Sequence, residues 1–137
     1  MTMNGKTVLI TGASRGIGAA AARVFAEAGS NVALVARSTA DIQDLAQEIG
    51  EKAIALPCDV SKYSDVSAAV ADTIATFGQL DVLINNAGVV DPIGHFQDID
   101  PETWGQTIDI NLKGVMYGLH AAMPGMIAQG GGTIINI

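Results

Sequence analysis

The stretch Lys6-Thr7-Val8-Leu9-Ile10-Thr11-Gly12-Ala13-Ser14-Arg15-Gly16-Ile17-Gly18 decides the fold. Its apolar run from Thr7 to Ile10 has the length of a strand, and an alanine-rich helical pattern opens at Gly16. A strand that feeds a helix through a glycine turn reads as the first corner of a βαβ unit that meets a phosphate. Gly12 lets the chain turn sharply off the strand, Gly16 lets the backbone approach a pyrophosphate, and Gly18 lets the helix lie close to the sheet. Ser14, Arg15 and Ile17 fill out the loop, and the helix presents free N–H groups and its positive dipole end to the anion. The same spacing also suits an ordinary strand-to-helix connection, so the rest of the chain must decide between them.

Downstream, strand-length apolar runs alternate with helical periodicity, the pattern of a parallel sheet covered by helices. Strands are predicted at Lys6 to Ile10, Asn31 to Ala36, Ala53 to Leu56, Asp81 to Asn85 and Thr133 to Ile137. Helices are predicted from Gly16 to Ala28, Thr39 to Ile49 and Ser64 to Phe77, with Gly29, Gly50 and Gly78 as stops. In the first, Ile17, Ala21, Val24, Phe25 and Ala28 form the expected buried stripe. Asp100-Pro101-Glu102 combines an N-cap carboxylate, a first-turn proline and a first-turn acid, and so starts a long helix. Trp104, Ile108, Leu112, Val115 and Leu119 mark its stripe, and Pro124 is expected to bend or interrupt its last turns.

The 137 residues suffice for one domain and not comfortably for two. Seven Lys and Arg against 14 Asp and Glu give a net charge of −7. That balance argues against nucleic acid or an anionic membrane surface as the main partner. A local pair of arginines can still hold an anion, because salt screens remote charge within about 8 Å. Cys58, the single cysteine, has no partner for a disulfide and no ligand cluster around it, and is expected as a small buried hydrophobe. The first residues lack the apolar core of a signal peptide and no apolar run approaches about 18 residues, so a soluble, cytoplasmic protein is expected.

Four features stand in sequence order: Thr11 to Gly18, Asp59-Val60, Asn85-Asn86-Ala87-Gly88 and Asn111. With a Gly-x-x-x-Gly-x-Gly turn in place of the commoner Gly-x-Gly-x-x-Gly, the chain resembles the single-domain branch of the short-chain dehydrogenase/reductase family. The resemblance implies a Rossmann-like, doubly wound α/β sheet of order 3-2-1-4-5 and hydride transfer between a nicotinamide cofactor and an alcohol or carbonyl substrate. It implies that Asp59 holds the adenine amino group beside the Val60 backbone, and that Asn86, Ala87 and Gly88 line the ribose and nicotinamide side. Asp59 suits helix capping as well, and Asn85 suits bracing between strands. Asn111 matches the family asparagine that helps hold a relay water, or it is a kink residue bonded to a nearby carbonyl; the two are compatible.

After the second strand come Ala36-Arg37-Ser38, with no acid to accept from a ribose 2'-hydroxyl. Arg37 and Arg15 could together clamp a 2'-phosphate, so NADP is favoured over NAD; the alternative is that both arginines are merely solvated. His95 and His120 read as structural or surface residues. Met116, Met123 and Met126 read as packing surface rather than a substrate box.

Family members run to about 250 residues and depend on a serine after the fifth strand and a Tyr-x-x-x-Lys further on. Neither occurs here: Ser67 stands four residues after Tyr63, and Ala121 four after Tyr117. Residues 1–137 are therefore expected to be the NAD(P)-binding part of a larger reductase, inactive alone, that forms a homodimer or homotetramer in full length. A bare edge strand and an uncovered apolar helix face are expected to lead to self-association, partner binding or poor solubility. The alternative functions are a non-catalytic NADP-binding module or sensor and, less favoured, a flavodoxin-like phosphate binder.

Overall fold

A computed structural model describes residues 2–137 of the chain. Five parallel strands form one sheet in the order β3-β2-β1-β4-β5. They are β1 (Thr7–Thr11), β2 (Asn31–Ala36), β3 (Ala53–Pro57), β4 (Val82–Asn85) and β5 (Thr133–Asn136). The helices between them are α1 (Gly16–Glu27), α2 (Thr39–Ile49), α3 (Tyr63–Phe77), α4 (Pro101–Ile108) and α5 (Gly114–Ala128). The doubly wound order expected from the sequence is the one found.

Alternate residues of the central strands serve opposite faces of the sheet. Val8, Ile10, Val32 and Leu34 pack with Ala19 and Ala22 of α1 and Ile42 and Leu45 of α2. Leu9, Ala33, Val35 and Leu83 pack with Val66, Ala69 and Val70 of α3 and Ala122 and Met126 of α5. Burial of both faces explains why these strands read as unbroken apolar runs. Each fully buried Ile10 or Leu34 side chain contributes about 1.5–3 kcal/mol. Strand β5 is paired on one side and mostly exposed, as expected of an edge.

Two stripes differ from expectation. On α1 the buried residues are Gly18, Ala19 and Ala22, while Ile17 and Val24 are more than 60 % exposed. Small residues bury because the helix backbone comes too close to the loop and sheet for larger ones. The long helix is two helices joined by a π-turn, Asp109–Lys113. That wide turn breaks the 3.6-residue phase counted from Trp104, so Leu112 turns outward and Gly114, Gly118, Ala122 and Met126 face the core. Met126 packs as expected, whereas Met116 and Met123 are exposed. Pro124 does not interrupt α5; both it and His120, whose carbonyl loses its helical partner, are exposed. Asp100 does cap α4, accepting from the Thr103 N–H at 2.8 Å.

Strand β4 starts one residue later than expected, just after Asp81, whose side chain is held across the sheet. Its carboxylate accepts from Lys6 Nζ at 2.9 Å, the Thr7 N–H at 2.9 Å and Gln79 Nε2 at 2.8 Å. Partial burial opposes its ionisation, but these hydrogen bonds outweigh it and hold the carboxyl below the usual range. A folded-state value below the unfolded one means that Asp81 stabilises the fold above about pH 4 and loses that contribution as pH falls through the folded value. Asp81→Asn is therefore expected to lower the thermal midpoint near neutral pH and to flatten its acid dependence. An unchanged acid limb in melts across that range would contradict this assignment.

Candidate dinucleotide cleft

The sheet collects its functional residues at the C-terminal ends of the strands, where a doubly wound fold binds ligands. After β1, Gly12 takes φ +66° and Gly16 φ +58°, a region that side-chain-bearing residues avoid. The two glycines do different work. A Cβ on Gly12 would lie 2.9 Å from the Ala87 Cα, so close approach of two loops excludes it. A Cβ on Gly16 would meet no atom within 4 Å, so its bare backbone faces open space. Arg15 stands at the N-cap of α1 with no side-chain cap bond, which leaves the N–H groups of the first turn without a side-chain acceptor.

Around that space lies a cleft of about 790 Å³, within the range of small-molecule sites. The glycine loop supplies Gly12, Ser14, Arg15, Gly16 and Ile17. Arg37 comes from the end of β2, and Asp59 and Val60 from the turn after β3. Asn86, Ala87 and Gly88 come from the turn after β4. Eleven of the sequence-predicted positions thus converge, and Ile17 is exposed because it faces this cleft. Of the twelve predicted cofactor positions Gly18 alone stays outside the lining: it lies behind the wall, where a Cβ would overlap the Gly12 carbonyl oxygen, and its work is packing.

Thr11 and Asn86 lock the first wall to the last. The Thr11 hydroxyl donates to the Ile84 carbonyl at 3.4 Å and accepts from the Asn86 and Ala87 N–H groups at 3.0 Å each. Asn86 Nδ2 donates to the Thr11 and Gly12 carbonyls at 3.0 and 3.3 Å. Asn86 therefore shapes the wall with its side chain, and only its remaining surface faces the cleft. Asn85 braces strands, as its alternative reading had it, donating from Nδ2 to Asn136 Oδ1 at 2.9 Å.

Asp59 Oδ1 accepts from the Ser61 hydroxyl at 2.7 Å and the Ser61 N–H at 3.0 Å. The Ser61 hydroxyl leads in holding its carboxyl below the usual range; partial burial opposes the shift, and Lys62 and Arg37 add to it. Cys58 is buried as expected, and burial with Asp65 and Asp59 nearby pushes its thiol up to about 12. It stays protonated and unreactive near neutral pH.

Asn111 lies in the π-turn and does not reach the cleft wall. Its Oδ1 accepts from the Val89 N–H at 2.8 Å and its Nδ2 donates to the Val89 carbonyl at 2.7 Å. That paired clamp realises the carbonyl-bonded alternative for its side chain and fixes the loop after β4, whose Val89 lines the cleft with Ile110. The Thr107 hydroxyl ties the same loop to α4 through the Asp91 carbonyl.

Sequence reasoning missed Ser38 and Asp41, which also line the cleft. Ser38 Oγ donates to Asp41 Oδ2 at 2.5 Å. The end of β2 carries no acid, as read from the sequence, but the first turn of α2 brings Asp41 to the lining of the same cleft as Arg37. The available signal was a helix start placed directly after Arg37. Elsewhere, His120 is a surface residue bonded to the Tyr63 hydroxyl at 2.8 Å, and His95 is exposed. Among the described residues no group of three potential metal ligands occurs and no helix is long and apolar enough to cross a membrane.

Fold and cleft define a doubly wound α/β protein whose glycine-rich first turn opens onto a cleft at the C-terminal ends of its strands. The family model for short chain dehydrogenase matches residues 6–137, and the chain belongs to that family. Oxidoreductase UcpA of Salmonella typhimurium is 44 % identical over 97 % of this chain and 51 % of its own length. A 3-ketoacyl-(acyl-carrier-protein) reductase from Brucella melitensis, solved with NADH, superposes with TM-score 0.94 at 36 % identity, over 98 % of this chain and 57 % of that one. A metagenomic short-chain oxidoreductase, solved with NADP, superposes with TM-score 0.92 at 38 % identity, over 99 % and 63 %. The chain spans about half the length of the curated relatives it matches.

Proposed function

We propose that residues 1–137 form the cofactor-binding part of an NADP-dependent oxidoreductase that moves hydride between the nicotinamide and an alcohol or carbonyl substrate. The observation that carries this reading is the open space at Gly16, bordered by uncapped N–H groups and by Arg15, in a cleft whose next wall carries Arg37. That donor set fits an anionic dinucleotide: the first turn of α1 meets the pyrophosphate, and the arginines meet a 2'-phosphate with charge-assisted hydrogen bonds. Asp59 keeps an oxygen for the adenine amino group, since Oδ1 alone is engaged by Ser61. A bound nicotinamide would supply the hydride, and Gly88 and Val89, the latter held by Asn111, would form part of the cleft lining that receives the dinucleotide. Solved relatives with NADH and with NADP support a nicotinamide dinucleotide in this cleft.

A second reading has its own observation. Among the described residues the cleft wall contains no tyrosine, lysine or histidine to pass a proton to a carbonyl oxygen. A non-catalytic NADP-binding module fits that composition. Titrating NADPH by its fluorescence, then adding a panel of ketones to the same sample, separates the two. Binding followed by ketone-dependent oxidation supports the oxidoreductase, binding without oxidation supports the module, and absence of binding rejects both. A cytoplasmic location and assembly as a homodimer or homotetramer belong to the same proposal; the exposed Leu112, Met116 and Met123 side chains are consistent with a covered face.

A further inference from the structure

The wall that carries Arg37 is not uniformly cationic. Asp41 stands in the first turn of α2 and lines the cleft together with Arg37 and Ser38. The Ser38 hydroxyl does not cap α2, whose N-cap has no side-chain bond, and donates to Asp41 Oδ2 at 2.5 Å. A serine hydroxyl has one proton to give. With that proton held by Asp41, Ser38 offers an incoming group only lone pairs.

We propose that Ser38 and Asp41 form an acceptor pair for a ribose 2'-hydroxyl, opposing the Arg15–Arg37 pair, and that Asp41 sets how far the cleft prefers NADP to NAD. The inference rests on the reading of this cleft as a nicotinamide-dinucleotide site. A 2'-hydroxyl donates a proton and is matched by Ser38 and Asp41. A 2'-phosphate brings only acceptors and a charge of about −2 near neutral pH; it is drawn to Arg15 and Arg37 and repelled by Asp41. Asp59 is the other carboxylate lining the cleft, and it is already close enough to Arg37 and Lys62 for both to favour its ionised form. Two arginines therefore face two carboxylates around the cleft, and loss of one carboxylate shifts the balance toward the phosphate.

Asp41→Asn removes the charge and keeps an oxygen to accept from Ser38. Fluorescence titrations of wild type, Asp41→Asn and Arg37→Ala with NADPH and with NADH give the test. Asp41 and Ser38 are exposed, so a unit charge acting on a doubly charged phosphate through a water-like dielectric and salt corresponds to roughly a two- to fivefold change in affinity. Asp41→Asn is accordingly expected to tighten NADPH about two- to fivefold, to weaken NADH through loss of the charged acceptor, and to lose much of the NADPH gain at high salt. An unchanged NADPH-to-NADH ratio overturns the proposal, as does an equal change in both affinities, which a purely structural role in α2 would produce. NADPH binding that depends on Arg37 while the ratio ignores Asp41 overturns this inference and leaves the NADP reading standing. A wild type that prefers NADH, with a variant displaced toward NADPH, overturns the NADP preference and supports this inference. A protein that binds neither dinucleotide overturns both.

Discussion

Gly18→Ala is expected to cost about 3 kcal/mol of stability and to abolish measurable dinucleotide binding. The added Cβ would overlap the Gly12 carbonyl oxygen and sit 2.8 Å from Asn86 Nδ2. Both neighbours are held: Gly12 by its positive φ and its approach to Ala87, and Asn86 by its bonds to the Thr11 and Gly12 carbonyls. Relief therefore requires the first turn of α1 to lift away from the loop, which displaces Arg15 and the free N–H groups from the cleft. Gly16→Ala gives the contrast. Its Cβ enters open space, so apart from backbone strain of about 1 kcal/mol its effect should fall on binding rather than on the fold. Thermal melts with NADPH titrations on both variants check this, and a Gly18→Ala protein with wild-type stability and affinity would contradict the packing described.

Thr11→Val should be nearly as damaging although it conserves shape. The Thr11 hydroxyl is the acceptor for two consecutive N–H groups, those of Asn86 and Ala87, and it sits 5 % exposed beneath them. A methyl group takes that acceptor away from both donors, at about 1–3 kcal/mol each and nearer the lower figure because Asn86 and Ala87 are only half-buried. The expected loss is about 2 kcal/mol in chemical denaturation, with weaker dinucleotide binding because Ala87 and Gly88 lose their anchor. Thr11→Ser keeps the oxygen and should recover most of the loss. Equal destabilisation by serine and valine would place the effect in the missing methyl packing rather than in the hydrogen bonds.

Much of this architecture is legible in the sequence because its signals are local. The apolar runs Val8 to Ile10 and Val32 to Ala36 name the central strands, and Asp100-Pro101-Glu102 names a helix start that the structure reproduces. The convergence of Gly12, Arg37, Asp59 and Asn86 follows once strand order is set, since each stands just beyond the C-terminal end of a parallel strand. What escaped depends on distances that no periodicity carries. Ile17 and Val24 match a helical stripe, yet α1 approaches so closely that Ala19 and Ala22 take the buried positions. The π-turn around Asn111 adds a residue where a 3.6-residue count assumes none, which is why Leu112 was expected inside. Asp41 lies four residues beyond Arg37, and only the turn of α2 brings it back to the cleft.

The central claim, an NADP site built on Gly16 and two arginines, is tested most directly by the stabilisation that NADPH confers on wild type and on Arg37→Ala. At roughly one hundred times its Kd a ligand that binds only the folded state stabilises by about 2.7 kcal/mol. Wild type should show a shift of that order in its thermal midpoint on adding NADPH, and Arg37→Ala should lose most of it at the same concentration while keeping its response to NADH. No shift in wild type, or a shift of undiminished size in Arg37→Ala, would contradict the account.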